Sequence, residues 1–531
     1  MTVAKSHLQS DYLAEILRRR IGDAHVRDDG ETLDLFSHDI YGRAGVWPAL
    51  IAAPASTIEL ADTVRIATGA GRSVIARGGG MSYTGGYLPT EHGAVVIDMR
   101  RMNRIIDINE TDMTVTLETG ATWSDLHAAL SAKGLRTPFW GPLSGVSSTI
   151  GGGLSQNNAF FGAGVHGPAS DSVVALAVVL TDGSILRTGS ASTQGATPFF
   201  RHYGPDLTGL FLGDAGALGL KAEATLRLIE KPGAEGYASF AFKSREACAA
   251  AMSALARAGI GAEVFAFDPN LQRIRMKRAS LAADVKALAG VVKGQKNLLA
   301  GVREAAKIAI AGRDIVEDDD YSVHLAVEGR AEAGVAADLA AARRIAAEAG
   351  GREIENTIPK VVRATPFTPL NAIIGPDGER WAPVHGIVPH SKAATVWREI
   401  DDYFASLKAD FDREGVFTGY LLTTLSTNGF LIEPVFYWPS ALDALHRETV
   451  EASMIARVKA YSENPAATTL VAKARRRVAE IFLAHGAAHF QIGKTYLYRE
   501  GRSPEAWALL DSLKSALDPH RRLNPGALGL T

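Results

Sequence analysis

Cysteine is almost missing from this chain. A single residue, Cys248, among 531 excludes an internal disulfide and leaves no thiolate cluster for a metal. Its setting, REACAAAMSALARA, has an Ala-rich helical pattern in which a small buried apolar residue fits better than a reactive thiol. Net charge is nearly missing too. Fifty-six Lys and Arg against 58 Asp and Glu leave −2, which gives no reason to expect nucleic acid or an anionic membrane as partner. No uninterrupted apolar run reaches the roughly 18 residues of a membrane span. The opening MTVAKSHLQSDYLAEILRRR has no apolar core behind its basic residues, so no secretory signal is expected and the default location is the cytoplasm. There is no internal repeat and no low-complexity tract.

What is present describes an enzyme-sized globular protein, 47% hydrophobic and 21% charged. Its length is too great for one ordinary core, which predicts two domains. Short β-branched runs alternate with helical patterns over the first 230 residues. The pattern predicts helices over Asp11–Ile21, Pro54–Ala70 (with Ser56 as cap) and Trp123–Lys133, closed by Gly134. Strands are predicted over Ser73–Ala76, Val95–Asp98, Thr114–Glu118 and Val173–Leu180, the last ending in a Thr181–Ser184 turn. After Lys231-Pro232-Gly233 the character changes, and from Phe240 to about Gly350 the chain is Ala-rich and helical, interrupted by strand-like Gly261–Phe267 and Tyr321–Glu328. A rigid connector, Thr365-Pro366-Phe367-Thr368-Pro369, follows. Then come an amphipathic helix over Lys392–Leu407, strands at Thr418–Thr424 and Gly429–Phe436, and helices from Leu442.

Two glycine-rich blocks carry the chemistry. The first follows a strand directly: Arg77-Gly78-Gly79-Gly80-Met81-Ser82-Tyr83-Thr84-Gly85-Gly86. Glycine lacks Cβ, so backbone N–H groups there can converge on an anion such as a diphosphate. The second block, Gly141-Pro142-Leu143-Ser144-Gly145 and Ser147-Ser148-Thr149-Ile150-Gly151-Gly152-Gly153, lies about 65 residues on. A flexible turn is the alternative for either block alone. Neither matches the dinucleotide fingerprint or the P-loop, so a nucleotide site of another kind is implied. The segment Ser155–Gly167, SQNNAFFGAGVHG, has little helical or strand period and reads as a ligand-holding loop.

The order RGGGMSYTGG, VVIDMRRMNRI, VTLETGATWSDLHAAL, STIGGGLSQNNAFFGAGVHGPASDSVVALAVVLTDGSIL and GDAGALGLKAEATLRL resembles the FAD-binding domain of the vanillyl-alcohol oxidase and p-cresol methylhydroxylase (PCMH) superfamily. The resemblance is strong over about residues 45–230 and returns in the C-terminal tail. It implies an α+β fold: a PCMH-type FAD-binding domain of two α/β subdomains over 1–232, and a substrate or cap domain over 233–465, built on an antiparallel sheet with flanking helices. A segment over 466–531 would return to close the site. The cofactor implied is FAD, with contacts at Arg77, Gly78, Gly79, Gly80, Met81, Ser82 and Tyr83 of the first block and Pro142, Ser144, Ser148, Thr149, Gly152 and Gly153 of the second. Ser155, Gln156, Gly162 and His166 would follow, then Gly219, Leu220 and Asn524. Relatives with covalent flavin often carry His where this chain has Met81, whose thioether offers no suitable nitrogen. FAD without a covalent bond is therefore expected.

The stretches ERWAPVHGIVPHSKA and FLIEPVFYWP extend the resemblance into the cap, and HFQIGKTYLY into the tail. They imply an enzyme in which Lys494 and Tyr496, with His489 and His385, act at the substrate. Lys494 would be an anion clamp where phenol-oxidising relatives have Arg. Metal-dependent 2-hydroxy acid dehydrogenases of the superfamily set histidines and a Glu against the flavin. Here His385, His390, His489 and Glu433 lack that spacing, and a metal-free site is expected. The reaction implied is hydride transfer from a para-substituted phenol or aryl alcohol, the alternative being a 2-hydroxy acid such as a lactate and a remote one a flavin-binding partner without catalysis. The electron acceptor, oxygen or another carrier, is left open, and relatives imply a homodimer.

Overall fold

The structure, a computed structural model, describes residues 2–279 and 319–531. It has an α+β architecture built on three main sheets. The first has four strands in the order Val26–Arg27, Leu50–Ala52, Val95–Asp98, Val74–Arg77, the last three parallel to one another. Leu50, Val74, Val95 and Ile97 have no exposed surface, which is why these strands read as unbroken apolar runs rather than alternating ones. Helix Thr57–Gly69 crosses between them. Its N-cap Ser56 accepts from Glu59 N–H, as the sequence predicts, while Glu59 reaches back to Ala55 N–H.

The second sheet has five antiparallel strands: Ile105–Asn109, Thr114–Glu118, Leu220–Arg227, Val173–Val179 and Ile185–Arg187. Every residue of Val173–Val179 is buried, and the expected hairpin at Thr181–Ser184 is formed. The third sheet has eight strands. Its path runs Arg352–Ile354, Ala234–Phe242, Tyr321–Gly329, Glu263–Phe267, Phe417–Leu425, Gly429–Trp438, Arg380–Pro383, with Gly386–Val388 also paired to Gly429–Trp438. Helices Arg245–Ala258, Ala393–Ser406 and Pro465–Ala484 cover it, burying Met252, Trp397 and Phe482 in one core with Phe240, Val323 and Phe436.

Three expectations change. The N-terminal helix starts at Thr2 rather than Asp11. The segment after the second glycine block is partly helical, over Ile150–Gln156 and Ala163–His166. Gly151 and Gly153 lie in the first of these helices because a Cβ would meet Thr119 Cβ at 2.8 Å and Trp123 Nε1 at 2.7 Å. The glycines there serve close packing, not looseness. Strand Ala234–Phe242 also precedes the Ala-rich helices, and the helical expectation over 280–318 lies outside the described residues.

The tail docks on the first sheet and its glycine loop. Asn524 N–H donates to Val74 O, and its side chain donates to Gly86 O at 2.7 Å and Ala215 O at 2.6 Å. Lys514, fully buried, donates to Ala217 O, Leu523 O and Asp518 Oδ2 at 2.7–2.8 Å. A buried ammonium needs such a full set of acceptors.

Candidate active site

The two glycine blocks pack directly on each other. A Cβ at Gly79 would fall 1.8 Å from the Ser147 carbonyl oxygen, and one at Gly78 2.1 Å from Thr149 Oγ1. Gly80 has φ +74°, a conformation costly for any other residue. Tyr87 donates its hydroxyl hydrogen to Gly80 O at 2.6 Å, and Gly85 N–H donates to Asp39 Oδ2 at 2.7 Å. The loop is thus fixed from behind. The two blocks form one wall of a cavity of about 500 Å³, a volume in the range of ligand sites.

The cavity continues away from the glycines into a chamber made by the third sheet. Side chains alternate along Gly429–Trp438. Phe430, Ile432 and Phe436 enter the core, while Leu431, Glu433, Val435 and Tyr437 line the cavity. The neighbouring strand adds Leu421 and Thr423, in register with Glu433 and Leu431. Trp381, Phe160, Phe490 and Leu271 complete an aromatic and aliphatic chamber, into which Tyr83, Gln491, His385 and Arg275 also face. Gln491, at φ +44°, donates to Tyr83 Oη at 2.8 Å. Arg475 of helix Pro465–Ala484 is 4% exposed and clamps two walls together, donating to Tyr83 O and Pro383 O.

His385 is pinned. Its backbone N–H donates to Tyr496 Oη at 2.8 Å, its Nε2 meets Phe490 O at 3.0 Å, and its Nδ1 lies 3.3 Å from Tyr496 Oη. A carbonyl only accepts, so Nε2 carries the hydrogen and Nδ1 receives one from the tyrosine. Burial, reinforced by His489, pushes the imidazole down to about 3, so it is neutral throughout the working range. Glu433 moves the other way. Burial raises it to about 7, against the opposing pull of Arg275 and a hydrogen bond from Tyr83.

Sixteen of the twenty expected cofactor contacts line the cavity: Gly78 through Tyr83, Pro142, Ser144, Ser148, Thr149, Gly152, Gly153, Ser155, Gln156, Gly219 and Leu220. Four do not. Arg77 turns its guanidinium onto Phe36, 4.2 Å from the ring centroid. Gly162 gives its N–H to Glu263. His166 is held neutral by burial beside Arg136. Asn524 ties the tail to the glycine loop.

Of the expected catalytic group, His385 alone lines the cavity. Tyr496 stands behind it, and His489 stacks on Tyr496 at 3.9 Å while bonding His385 O. Lys494 does not line the cavity. Its ammonium is directed to Leu88 O and Asn524 Oδ1, so its charge is already engaged at the tail, and burial pushes it down to about 7. Two other cations line the cavity, Lys221 and Arg275, the latter from helix Pro269–Ala279. His390 bonds Ser253 and Thr427 O, apart from the other histidines.

Residues 48–189 match the model of an FAD binding domain, and residues 491–528 match the C-terminal domain of FAD linked oxidases. The chain carries an FAD binding domain, set in a fold of the p-cresol methylhydroxylase type. Its fold over 98% of its length is that of p-cresol methylhydroxylase with substrate bound, at TM-score 0.71 and 16% identity, covering 97% of that chain. Alkyldihydroxyacetonephosphate synthase aligns over 97% of this chain and 84% of its own, at TM-score 0.68 and 18% identity. In sequence the chain is similar to glycolate oxidase subunit GlcD of Bacillus subtilis, 34% identical over 198 residues, 37% of this chain and 40% of GlcD. It is also similar to the mitochondrial D-lactate dehydrogenase [cytochrome] 1 of Saccharomyces cerevisiae, 30% identical over 215 residues, 40% of this chain and 35% of that protein. The matched stretches span about two fifths or less of these two relatives.

The cavity fits FAD by its own chemistry. The glycine wall leaves backbone free of side chains beside it, and Ser82, Ser144 and Ser148 add hydroxyls. Gln156 Oε1 and Asn158 Oδ1, from two lining residues, are buried without a hydrogen-bond partner. Such acceptors are costly unless a ligand N–H meets them. Lys221, also lining, is paired with Asp214 at 2.6 Å, so its charge is already balanced.

Sequence reasoning did not find Arg275, Trp381, Phe490 or Gln491, and it read Thr365–Pro369 only as a connector although Thr365, Pro366, Thr368 and Pro369 border the cavity. A usable signal existed for Arg475: it falls on the apolar stripe Ala467, Val471, Ala474, Val478 of its helix. None existed for Arg275, whose helix has no clear polar face.

Proposed function

We propose that this chain is an FAD-dependent oxidoreductase that oxidises a largely apolar hydroxylated substrate, a para-substituted phenol or an aryl alcohol. One observation carries the reading: a single cavity joins the glycine-block wall to a chamber of Trp381, Tyr437, Phe160, Phe490, Leu421, Leu431 and Val435. Bound FAD would supply the hydride acceptor. Gly78–Ser82 and Ser144–Thr149 would hold it, with Gln156 and Asn158 as acceptors for its N–H groups. The protein's own work is to seat the substrate ring between flat aromatic walls, to exclude water, and to orient the hydroxyl toward Tyr83, Gln491 and Glu433. Met81 lines the cavity and offers no nitrogen for a covalent link, while His385 has both ring nitrogens engaged. Both observations support FAD held without a covalent bond.

A second reading, a 2-hydroxy acid substrate, is favoured by Arg275, a guanidinium suited to a carboxylate, and by the similarity to glycolate oxidase GlcD and D-lactate dehydrogenase. Anaerobic addition of aryl alcohols, para-alkylphenols and D-2-hydroxy acids to the FAD-loaded protein separates them. Bleaching of the flavin by the aromatic substrates is expected. Bleaching by hydroxy acids alone establishes the second reading, and bleaching by none contradicts both.

A further inference from the structure

Glu433 stands on an apolar sheet face. Its same-face neighbours are Leu431 and Val435, and its cross-strand partner is Leu421, all lining the cavity. Among the described residues that line it, Glu433 is the only carboxylate. Such a placement is costly for stability, because a buried carboxylate without a full ion pair is disfavoured. One titratable neighbour is His385, whose Nδ1 lies 3.7 Å from Glu433 Oε2, but that ring is held neutral and Nδ1 already accepts from Tyr496. The other groups that face it are Tyr83, from the glycine loop, and Arg275, from the helix across the chamber. His489 and Tyr496 stand one layer behind. Tyr83 is raised well above the ordinary phenol value by burial and by Glu433, so it is a hydrogen-bond donor rather than a base. His385 is excluded as base by its own hydrogen bonds, and Lys221 by its pairing with Asp214.

We propose that Glu433 is the catalytic base that removes the substrate's hydroxyl proton. This rests on the reading of the chain as an oxidoreductase of hydroxylated substrates. The O–H bond breaks and its proton passes to Glu433 Oε. Its electron pair becomes the new carbonyl π bond, directly in an alcohol or through the ring in a para-alkylphenol. The C–H bond breaks and its electron pair leaves as hydride to FAD, the oxidant. Two electrons and two hydrogens leave the substrate, one as hydride and one as proton. Tyr83, fixed by Gln491 and Arg475, donates to the carboxylate and orients it, and His385 supports the wall. Poised at about 7, the carboxyl is matched to taking and returning a proton near neutrality.

The test measures anaerobic flavin reduction by an aryl alcohol across pH, in wild type, Glu433→Gln and Glu433→Asp, each loaded with FAD. FAD content is expected to be equal in all three, since Glu433 lies at the substrate end. Wild type should rise through an apparent pKa near 7. Glu433→Gln should be slower by about a hundredfold or more and lose that pH dependence, as removal of a general base requires. Glu433→Asp should retain the pH dependence at reduced rate. Reduction of Glu433→Gln within threefold of wild type, with the same pH profile, overturns the proposal. A flat wild-type profile overturns it without reference to any variant. Failure of wild type to be reduced by any alcohol, phenol or hydroxy acid would instead contradict the underlying oxidoreductase reading.

Discussion

Replacing Glu433 with Gln should make the protein more stable above pH 7 and leave it unchanged in acid. The carboxyl titrates at about 7 in the fold against an ordinary 4.5. Each unit of difference is about 1.36 kcal/mol, so the ionised group destabilises the fold by about 3 kcal/mol once pH is well above 7. The sign follows from proton counting. Between 4.5 and 7 the folded state holds a proton that the unfolded state has released, so wild-type stability falls as pH rises through that window. Below 4.5 both states hold it and the difference vanishes. Gln has the same shape and no ionisation, so it removes the penalty. Thermal unfolding of FAD-free wild type and Glu433→Gln from pH 4 to 9 checks this. The curves should coincide in acid and separate by several degrees at neutral and alkaline pH, the variant melting higher. Parallel curves, or a variant that melts lower at pH 8, would refute the claim that Glu433 is retained against stability.

Gly79→Ala should yield little folded protein, because its Cβ would meet the Ser147 carbonyl at 1.8 Å; circular dichroism and solubility check this before any FAD titration is interpreted. Lys514→Met leaves Asp518 buried without its partner and should lower stability by about 3–5 kcal/mol, read by denaturant unfolding. Lys494→Met should weaken FAD retention, since it loosens the tail from Leu88, while the reduction rate of the protein still loaded stays within threefold; a hundredfold fall in that rate would restore the substrate-clamp role. Acid precipitation should release the flavin into the supernatant, and a yellow pellet would establish a covalent link.

Much of the fold was legible because it rests on local signals. Val173–Val179 is a buried strand wherever it pairs, and Ser56 caps its helix through residues three apart. Cavity contacts in the glycine blocks were legible for the same reason. The aromatic chamber was not, because it is assembled from the glycine loop, a helix near residue 275, two strands beyond 417 and the tail. Lys494 illustrates the limit. Its charge and aromatic neighbours suggested a clamp, yet three residues earlier in the same tail it is Gln491 that reaches Tyr83, and the ammonium is spent on Leu88 and Asn524. Sequence order does not say which way a side chain leaves an irregular segment. Glu433 was visible as a chemical group, but its isolation on an aliphatic face emerges only when the register Leu421–Glu433 is known.

The central claim, that this cavity passes hydride from a hydroxylated carbon framework to FAD, is tested most directly by an isotope. Anaerobic reduction of the FAD-loaded protein is timed with an aryl alcohol and with the same alcohol carrying deuterium on the oxidised carbon. A slower, several-fold reduced rate with the deuterated substrate is predicted, because the C–H bond breaks in that step. Flavin that stays oxidised with these alcohols and with phenols and hydroxy acids alike would contradict the account.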